Sequence, residues 1–245
     1  MRAFRNSHLM GPQWLFTSVV SDADYAALLS PPSTTNVRPG AVRRALRRAK
    51  PWFWPRISDA GPWVESTESE GWNPHSYLRE TPRQLLQHLL ATSSNDMSVL
   101  DLGCNCGSDL DVLRREGYTR LFGVDAGRDA LRLFQEHFPA TWAMADVRHD
   151  LFQHYLLTAP TGFVDILHSH GATIELVHPS FPVIRQMCRV ASEGIYIQIS
   201  EMGHAYPRQY VAEFERNGFK LEFARRFCEE LGGQSLLHFR RRIPA

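Results

Sequence analysis

The sequence contains no uninterrupted apolar run of about 18 residues, the length a membrane-spanning helix needs, so no transmembrane segment is expected. Its start, Met1-Arg2-Ala3-Phe4-Arg5, is basic, but no continuous apolar stretch follows. That argues against a cleaved secretion signal and makes the cytoplasm the expected location. Lysine is nearly missing: Lys50 and Lys220 stand alone, and arginine supplies almost all the positive charge. With 27 basic and 26 acidic side chains the net charge is +1, which gives no global reason to expect nucleic acid. Cysteine is scarce, at positions 104, 106, 188 and 228. A bridge between Cys104 and Cys106 would distort the turn they occupy, and a lone Cys-x-Cys is too short for structural zinc, so reduced thiols are expected. What remains is ordinary: 245 residues, 43% hydrophobic and 22% charged, enough for one good core with an N-terminal addition.

The chain divides near residue 80. Residues 1–80 hold Trp14, Trp52, Trp54, Trp63 and Trp72, more than half of the prolines, and no strand-helix alternation. Within them, Ala41 to Pro55 reads as a basic amphipathic helix followed by an aromatic cluster. Residues 42, 45, 46 and 49 share one helical face, and Arg43, Arg44, Arg47 and Arg48 the opposite one. Such a segment suits a peripheral contact with an anionic membrane surface. It also suits RNA phosphates, or a solvated helix packed on the main domain.

From residue 81 to 245 the text becomes regular. Thr81-Pro82 reads as a helix start, with hydroxyl cap and proline in the first turn, and Leu85, Leu86, Leu89 and Leu90 give the helix an apolar face. Apolar strands are expected from Val99 to Asp101, in a second run closed by Asp125, and at 141–145, 162–167 and 194–199, separated by helices, with a final close pair at about 219–226 and 234–241. The fold class is therefore α/β, a doubly wound sheet with helices on both faces.

The first strand ends in Asp101 and runs into Leu102-Gly103-Cys104-Asn105-Cys106-Gly107. An acid at the carboxyl end of a strand, before a tight turn, suits a ligand bearing positive charge. A dinucleotide site would need G-x-G-x-x-G. Here glycines stand at 103 and 107, Asn105 takes the middle place, and Leu110 replaces the third glycine. Asp125 closes the second strand about one strand-helix-strand unit later, and Asp146 follows the third. An ionised carboxylate is acceptor-only and takes two O–H donors, which suits ribose hydroxyls at Asp125.

This acid-plus-turn pattern over residues 81–245 resembles motif I of the class I S-adenosylmethionine-dependent methyltransferases. The resemblance implies a Rossmann-like seven-stranded sheet with the last strand antiparallel, S-adenosyl-L-methionine as cofactor and S-adenosyl-L-homocysteine as product. It also implies cofactor contacts from Asp101, Gly103, Asn105 and Gly107, from Asp125 to the ribose, from Asp146 and the Val147 N–H to adenine, and from His168. The stretch from His168 to Pro179, and Glu201 at the end of the fifth strand, are similar to a branch acting on small-molecule or glycan-related acceptors. His170, Glu175 and His178 are the candidate bases, and Glu201 a candidate acceptor contact. Tyr77 and Arg79 fall on a segment that in many methyltransferases folds over the cofactor as a lid.

His168 and His170 share one side of a continuing strand and are conceivable metal ligands. The sequence presents no clear third ligand, so no metal is expected. The reading is methyl transfer to a small-molecule or glycan-related acceptor, at oxygen. Its rivals are an RNA methyltransferase using residues 38–56, an inactive binding module on the same fold, and a nicotinamide-dependent oxidoreductase.

Overall fold

Helices and strands alternate along the chain as the apolar pattern requires: α1 (Gln84–Thr92), β1 (Val99–Leu102), α2 (Ser108–Arg115), β2 (Leu121–Asp125), α3 (Arg128–His137), α4 (Pro139–Met144) and β3 (Asp146–His149). They continue as α5 (Phe152–Thr158), β4 (Val164–His170), α6 (Val183–Val190), β5 (Ala191–Ile199), α7 (Tyr210–Arg216), β6 (Phe219–Cys228) and β7 (Gln234–Arg241). The computed structural model describes residues 74–171, 174–177, 181–201 and 208–242. The basic-aromatic segment 41–55 and His178 lie outside them.

The strands form one sheet in the order β3-β2-β1-β4-β5-β7-β6. Pairing is parallel from β3 to β5, while β7 runs antiparallel to both β5 and β6. All four residues of β1 are buried, as a central parallel strand covered on both faces must be. Edge strand β3 is mostly exposed and carries Asp146 and Arg148, charges that discourage edge-to-edge pairing.

Side-chain alternation sorts the core onto two faces. Leu100, Leu167, Ile195 and Ile197 pack under α5, α6 and α7. Val99, Ile166 and Tyr196 pack with Leu85 and Leu89 of α1, Leu110 and Leu113 of α2, and Phe134 of α3. Asp101 falls on the same side of β1 as Val99, and His168 and His170 on the same side of β4 as Ile166. The sheet order reverses at β1, flanked by β2 and β4, so the crevice where ligands collect in such sheets opens at the carboxyl ends of β1 and β4. All four cysteines are buried and unbridged. No helix among the described residues is long and apolar enough to cross a membrane.

Two expectations need correction. The stretch expected to be the third strand is helix α4, and β3 begins only at Asp146. Pro139 sits in the first turn of α4, where its missing N–H costs nothing. Thr141 is buried there, donating to Asp111 Oδ1 at 2.6 Å, while Trp142 meets Phe134 edge-on. Trp142 is therefore apolar for helical packing, not as part of a strand face, and Met144 is exposed. The first helix begins at Gln84, with Arg83 and not Thr81 in the cap position.

On the α1 face, His88 Nε2 lies 3.2 Å from His238 Nδ1. His238 stacks on Tyr196 and His88 on Phe223, each with ring centroids 4.0 Å apart. Burial pushes the His238 imidazole down to about 4, and the neighbouring His88 and Arg240 push it the same way. Burial lowers His88 as well. Both rings are neutral in the folded chain at pH 7, whereas an unfolded histidine titrates near 6.5. The unfolded state thus binds more protons between about pH 4 and 6.5, and stability falls as pH drops through that window. Urea unfolding at pH 7 and pH 4.5 should show wild type losing about 2 kcal/mol more than His238→Phe. Equal losses in the two proteins would refute this.

Candidate cofactor and acceptor site

The turn after β1 is built for close approach by a ligand. Gly103, Asn105 and Gly107 all adopt positive φ, at 77°, 50° and 74°. Asparagine tolerates the left-handed region because its side chain can bond locally. Here Asn105 Oδ1 accepts the Cys106 N–H at 2.7 Å. The substitution of asparagine for the middle glycine is thereby accommodated.

Asp125, at the end of β2, ties this turn to the next one. Its Oδ2 accepts the Asn105 N–H at 2.8 Å and its Oδ1 the Gly127 N–H at 2.7 Å. Each oxygen retains a lone pair for a further donor. Burial raises the Asp125 carboxyl to about 6, against the pull of those two N–H bonds.

Across the crevice a second set of groups converges. Asp101 and His168 are register partners on β1 and β4. His168 Nδ1 lies 3.1 Å from Asp101 Oδ1, and its Nε2 lies 3.9 Å from Asp109 Oδ2. His170 Nδ1 approaches the same Asp109 oxygen at 3.0 Å. Burial favours the neutral form of His170, whose pKa falls to about 4 although Asp109 opposes the shift. Asp109 is held well below the ordinary carboxylate range: burial acts against ionisation, but His170, His168 and Arg79 together outweigh it. Burial raises Asp101, with His168 pulling the other way. The Nε2 atoms of both histidines are buried without a hydrogen-bond partner among the described residues.

The segment before α1 closes over this cluster. A 3₁₀ turn at Pro74–Tyr77 packs against α3. Ser108 Oγ donates to the Tyr77 carbonyl at 2.9 Å and accepts the Arg79 N–H at 3.1 Å. The Arg79 guanidinium pairs with Asp109 Oδ1 and donates to the Tyr77 carbonyl at 3.0 Å. The sequence singled out Tyr77 and Arg79; the structure sets Arg79 at the cluster, while Tyr77 offers its carbonyl to Ser108 and Arg79 and its ring to the Arg83 guanidinium.

Other expected site residues land elsewhere. Asp146 opens β3 opposite Phe122, and Val147 pairs with Gly123, both below the carboxyl rim. Asp146 pairs with Arg148 at 2.8 Å and is exposed, so the adenine role expected of Asp146 and Val147 does not fit this placement. Asp150 occupies the rim instead, its N–H bonded to the Asp125 carbonyl at 3.1 Å. Glu175 is buried in a 3₁₀ turn, where its Oε1 accepts the Ser200 N–H at 2.7 Å. It anchors the loop after β4 to the end of β5. Glu201 is fully buried and takes Arg226 through both oxygens, at 3.0 and 2.9 Å, with Ser235 Oγ at 2.5 Å. It is a strut between the end of β5 and the β6–β7 pair, not an acceptor contact.

Two members of the cluster escaped the sequence reading. Asp109 and Ser108 lie in the first turn of α2, where acids and hydroxyl residues are common for dipole and capping reasons alone. Only the alternation of His168 and His170 pointed toward them.

A seven-stranded sheet with one antiparallel strand, an acid-and-glycine turn after β1 and an acid closing β2 define the class I methyltransferase fold. A family model described as a methyltransferase domain matches residues 75–228, and the chain belongs to that family. It is an S-adenosylmethionine-dependent methyltransferase. Solved structures agree on the fold. The TehB-like methyltransferase of Corynebacterium glutamicum is 15% identical with a TM-score of 0.55, covering 74% of this chain and 98% of that one. Magnesium protoporphyrin IX methyltransferase of Synechocystis, with S-adenosylmethionine bound, is 12% identical with a TM-score of 0.54, covering 98% and 99%. A Mesorhizobium loti S-adenosylmethionine-dependent methyltransferase is 15% identical with a TM-score of 0.53, covering 63% and 96%. No curated protein sequence matches the chain.

The residues present fit the cofactor. The left-handed turn brings backbone to the rim, and Asp125 keeps acceptor capacity on both oxygens. Asp101, on the neighbouring strand end, supplies buried negative potential for a cationic ligand, shared with His168.

Proposed function

We propose that the chain transfers the methyl group of S-adenosylmethionine to a hydroxyl of a small-molecule or glycan-related acceptor, with His170 as the proton acceptor. Bound S-adenosylmethionine supplies an activated methyl group, so the protein's remaining tasks are alignment and, for a hydroxyl acceptor, removal of one proton. The observation that carries the reading is the state of His170. Its Nδ1 faces an ionised Asp109, which fixes that nitrogen as the N–H, and leaves the lone pair on an Nε2 with no partner among the described residues. The ring stays neutral above about pH 4, so it is in its accepting form throughout the physiological range. Of the three candidate bases, Glu175 is occupied in anchoring and His178 lies outside the described residues.

The test is a labelled-methyl assay over a panel of hydroxyl acceptors, followed by His170→Ala on whichever acceptor turns over. Turnover should fall by about 100-fold, while cofactor affinity measured by calorimetry stays within about threefold. Full activity in His170→Ala would remove His170 from the mechanism. Turnover confined to amine acceptors would overturn the assignment to oxygen.

A further inference from the structure

The cluster at the rim has the makings of a metal centre. Asp109, His168 and His170 offer one ligand atom each within 4.8 Å of one another. We propose that these three side chains bind one divalent transition-metal ion of the zinc class. The inference does not depend on which acceptor is methylated, or on methyl transfer at all.

Four observations support it. The first is spacing. Ligand atoms about 2.1 Å from a single ion lie roughly 3–4 Å apart, and His168 Nε2 is 3.9 Å from Asp109 Oδ2. The second is the buried Nε2 of His168, which faces Asp109 Oδ2 and has no hydrogen-bond partner among the described residues. Buried polar atoms left without a partner carry a desolvation cost that an ion would relieve at any nitrogen it ligates. The third is what stands behind the ring. Nδ1 of His168 is bonded to Asp101, the carboxylate–histidine arrangement that fixes the tautomer and orientation of metal-ligating imidazoles. The fourth is rigidity. His168 and His170 come from one strand and Asp109 from the helix that follows β1, all nearly inaccessible, with side-chain exposures of 0%, 5% and 5%.

Two imidazoles and one carboxylate suit zinc, cobalt or iron over magnesium or calcium, which prefer all-oxygen sites. Three protein ligands leave a further position open, as in catalytic and not structural zinc sites. Two arginines stand near: Arg79 takes Asp109 Oδ1 and leaves Oδ2 facing the histidines, and Arg83 acts on Asp109 and His170 through space. Ligation at either nitrogen would also engage the lone pair that His170 needs as a base. Ion-bound and ion-free protein are therefore distinct functional states of one site.

The experiment is a Co²⁺ titration of the untagged, metal-stripped full chain, with neither cofactor nor acceptor present, read by visible absorption. Saturation at one equivalent, with displacement by Zn²⁺, is expected. His168→Ala and His170→Ala should abolish the bands. Asp101→Asn should weaken binding by about 10- to 100-fold. His154→Ala, at an exposed position of α5, should leave the titration unchanged. X-ray absorption on the wild-type complex decides the matter even if a variant fails to fold: nitrogen and oxygen scatterers with imidazole outer shells are expected. Absence of saturable binding, sulfur ligation from Cys104 or Cys106, or an unaltered titration in His168→Ala would each overturn the proposal. A methyltransferase that binds no Co²⁺ would leave the proposed function standing and this inference refuted.

Discussion

Gly107→Ala should cost about 3 kcal/mol of unfolding free energy, the largest loss expected of an alanine at any glycine among the described residues. Residue 107 caps α2 with φ at +74°, in the region that penalises a Cβ by roughly 1–2 kcal/mol. The steric problem is more severe. A Cβ built at 107 meets the Phe134 ring at 2.3 Å, on Cδ2 and Cε2. That ring has no exposed surface and packs edge-on against Trp142 and Phe138, at centroid distances of 5.4 and 6.4 Å. It has nowhere to withdraw, so overpacking of about 1–3 kcal/mol adds to the backbone penalty. Against a total stability of roughly 5–15 kcal/mol the sum is large. Gly232→Ala is the control: its φ is +67°, but an added Cβ meets nothing within 4 Å, so only the backbone penalty applies. Urea unfolding of the two variants separates the terms. Equal midpoints would show that Phe134 does yield, and that the turn is less constrained than its geometry indicates.

Phe134 also explains which parts of the fold were legible in the sequence. Its apolar spacing with Ala130 and Leu131 marks α3, and the glycines and acids around β1 and β2 mark their strand ends. Such features depend on neighbours close in the chain. The fate of residues 139–145 depended instead on what lies across the fold. Thr141 is buried because Asp111, thirty residues earlier, accepts its hydroxyl, and Trp142 is apolar because Phe134 meets it. An alternating string of apolar residues cannot distinguish that packing from a strand face. The shift of β3 then moved Asp146 off the rim. The same reason hid the role of Glu201, whose partners Arg226 and Ser235 arrive only when β6 and β7 fold back onto β5. The site divides along similar lines. Asp101, Gly103, Gly107 and Asp125 advertise themselves by their places at strand ends. Asp109 does not, because an acid in the first turn of a helix is ordinary until two histidines from a distant strand are set against it.

Asp125→Ala should weaken S-adenosylmethionine binding by about 10² to 10⁴-fold while leaving a folded protein. The carboxylate holds two backbone N–H groups, from Asn105 and Gly127, and each oxygen keeps acceptor capacity for a further donor. Two hydrogen bonds from ribose hydroxyls to an ionised group contribute roughly 1.5–3 kcal/mol each, which sets the range. The group is expensive to maintain. Burial lifts its pKa to about 6, above the ordinary carboxylate value of about 3.8, so the folded chain binds an extra proton between those limits and loses stability as pH rises through 6. A carboxylate kept ionised at neutral pH against that gradient is what a ligand donating two hydroxyl protons would require. Binding must then follow pH in the opposite sense to this local stability term. Hydroxyl donors prefer the ionised form, so affinity is flat well above pH 6 and weakens by up to tenfold per unit as pH falls below it. Calorimetry across pH 5 to 8 should show that break in wild type and a shallower dependence in Asp125→Asn, whose side chain does not titrate. An identical pH profile in the two proteins would mean that the ribose hydroxyls do not rest on Asp125, and that the acid closing β2 serves only to join the two turns.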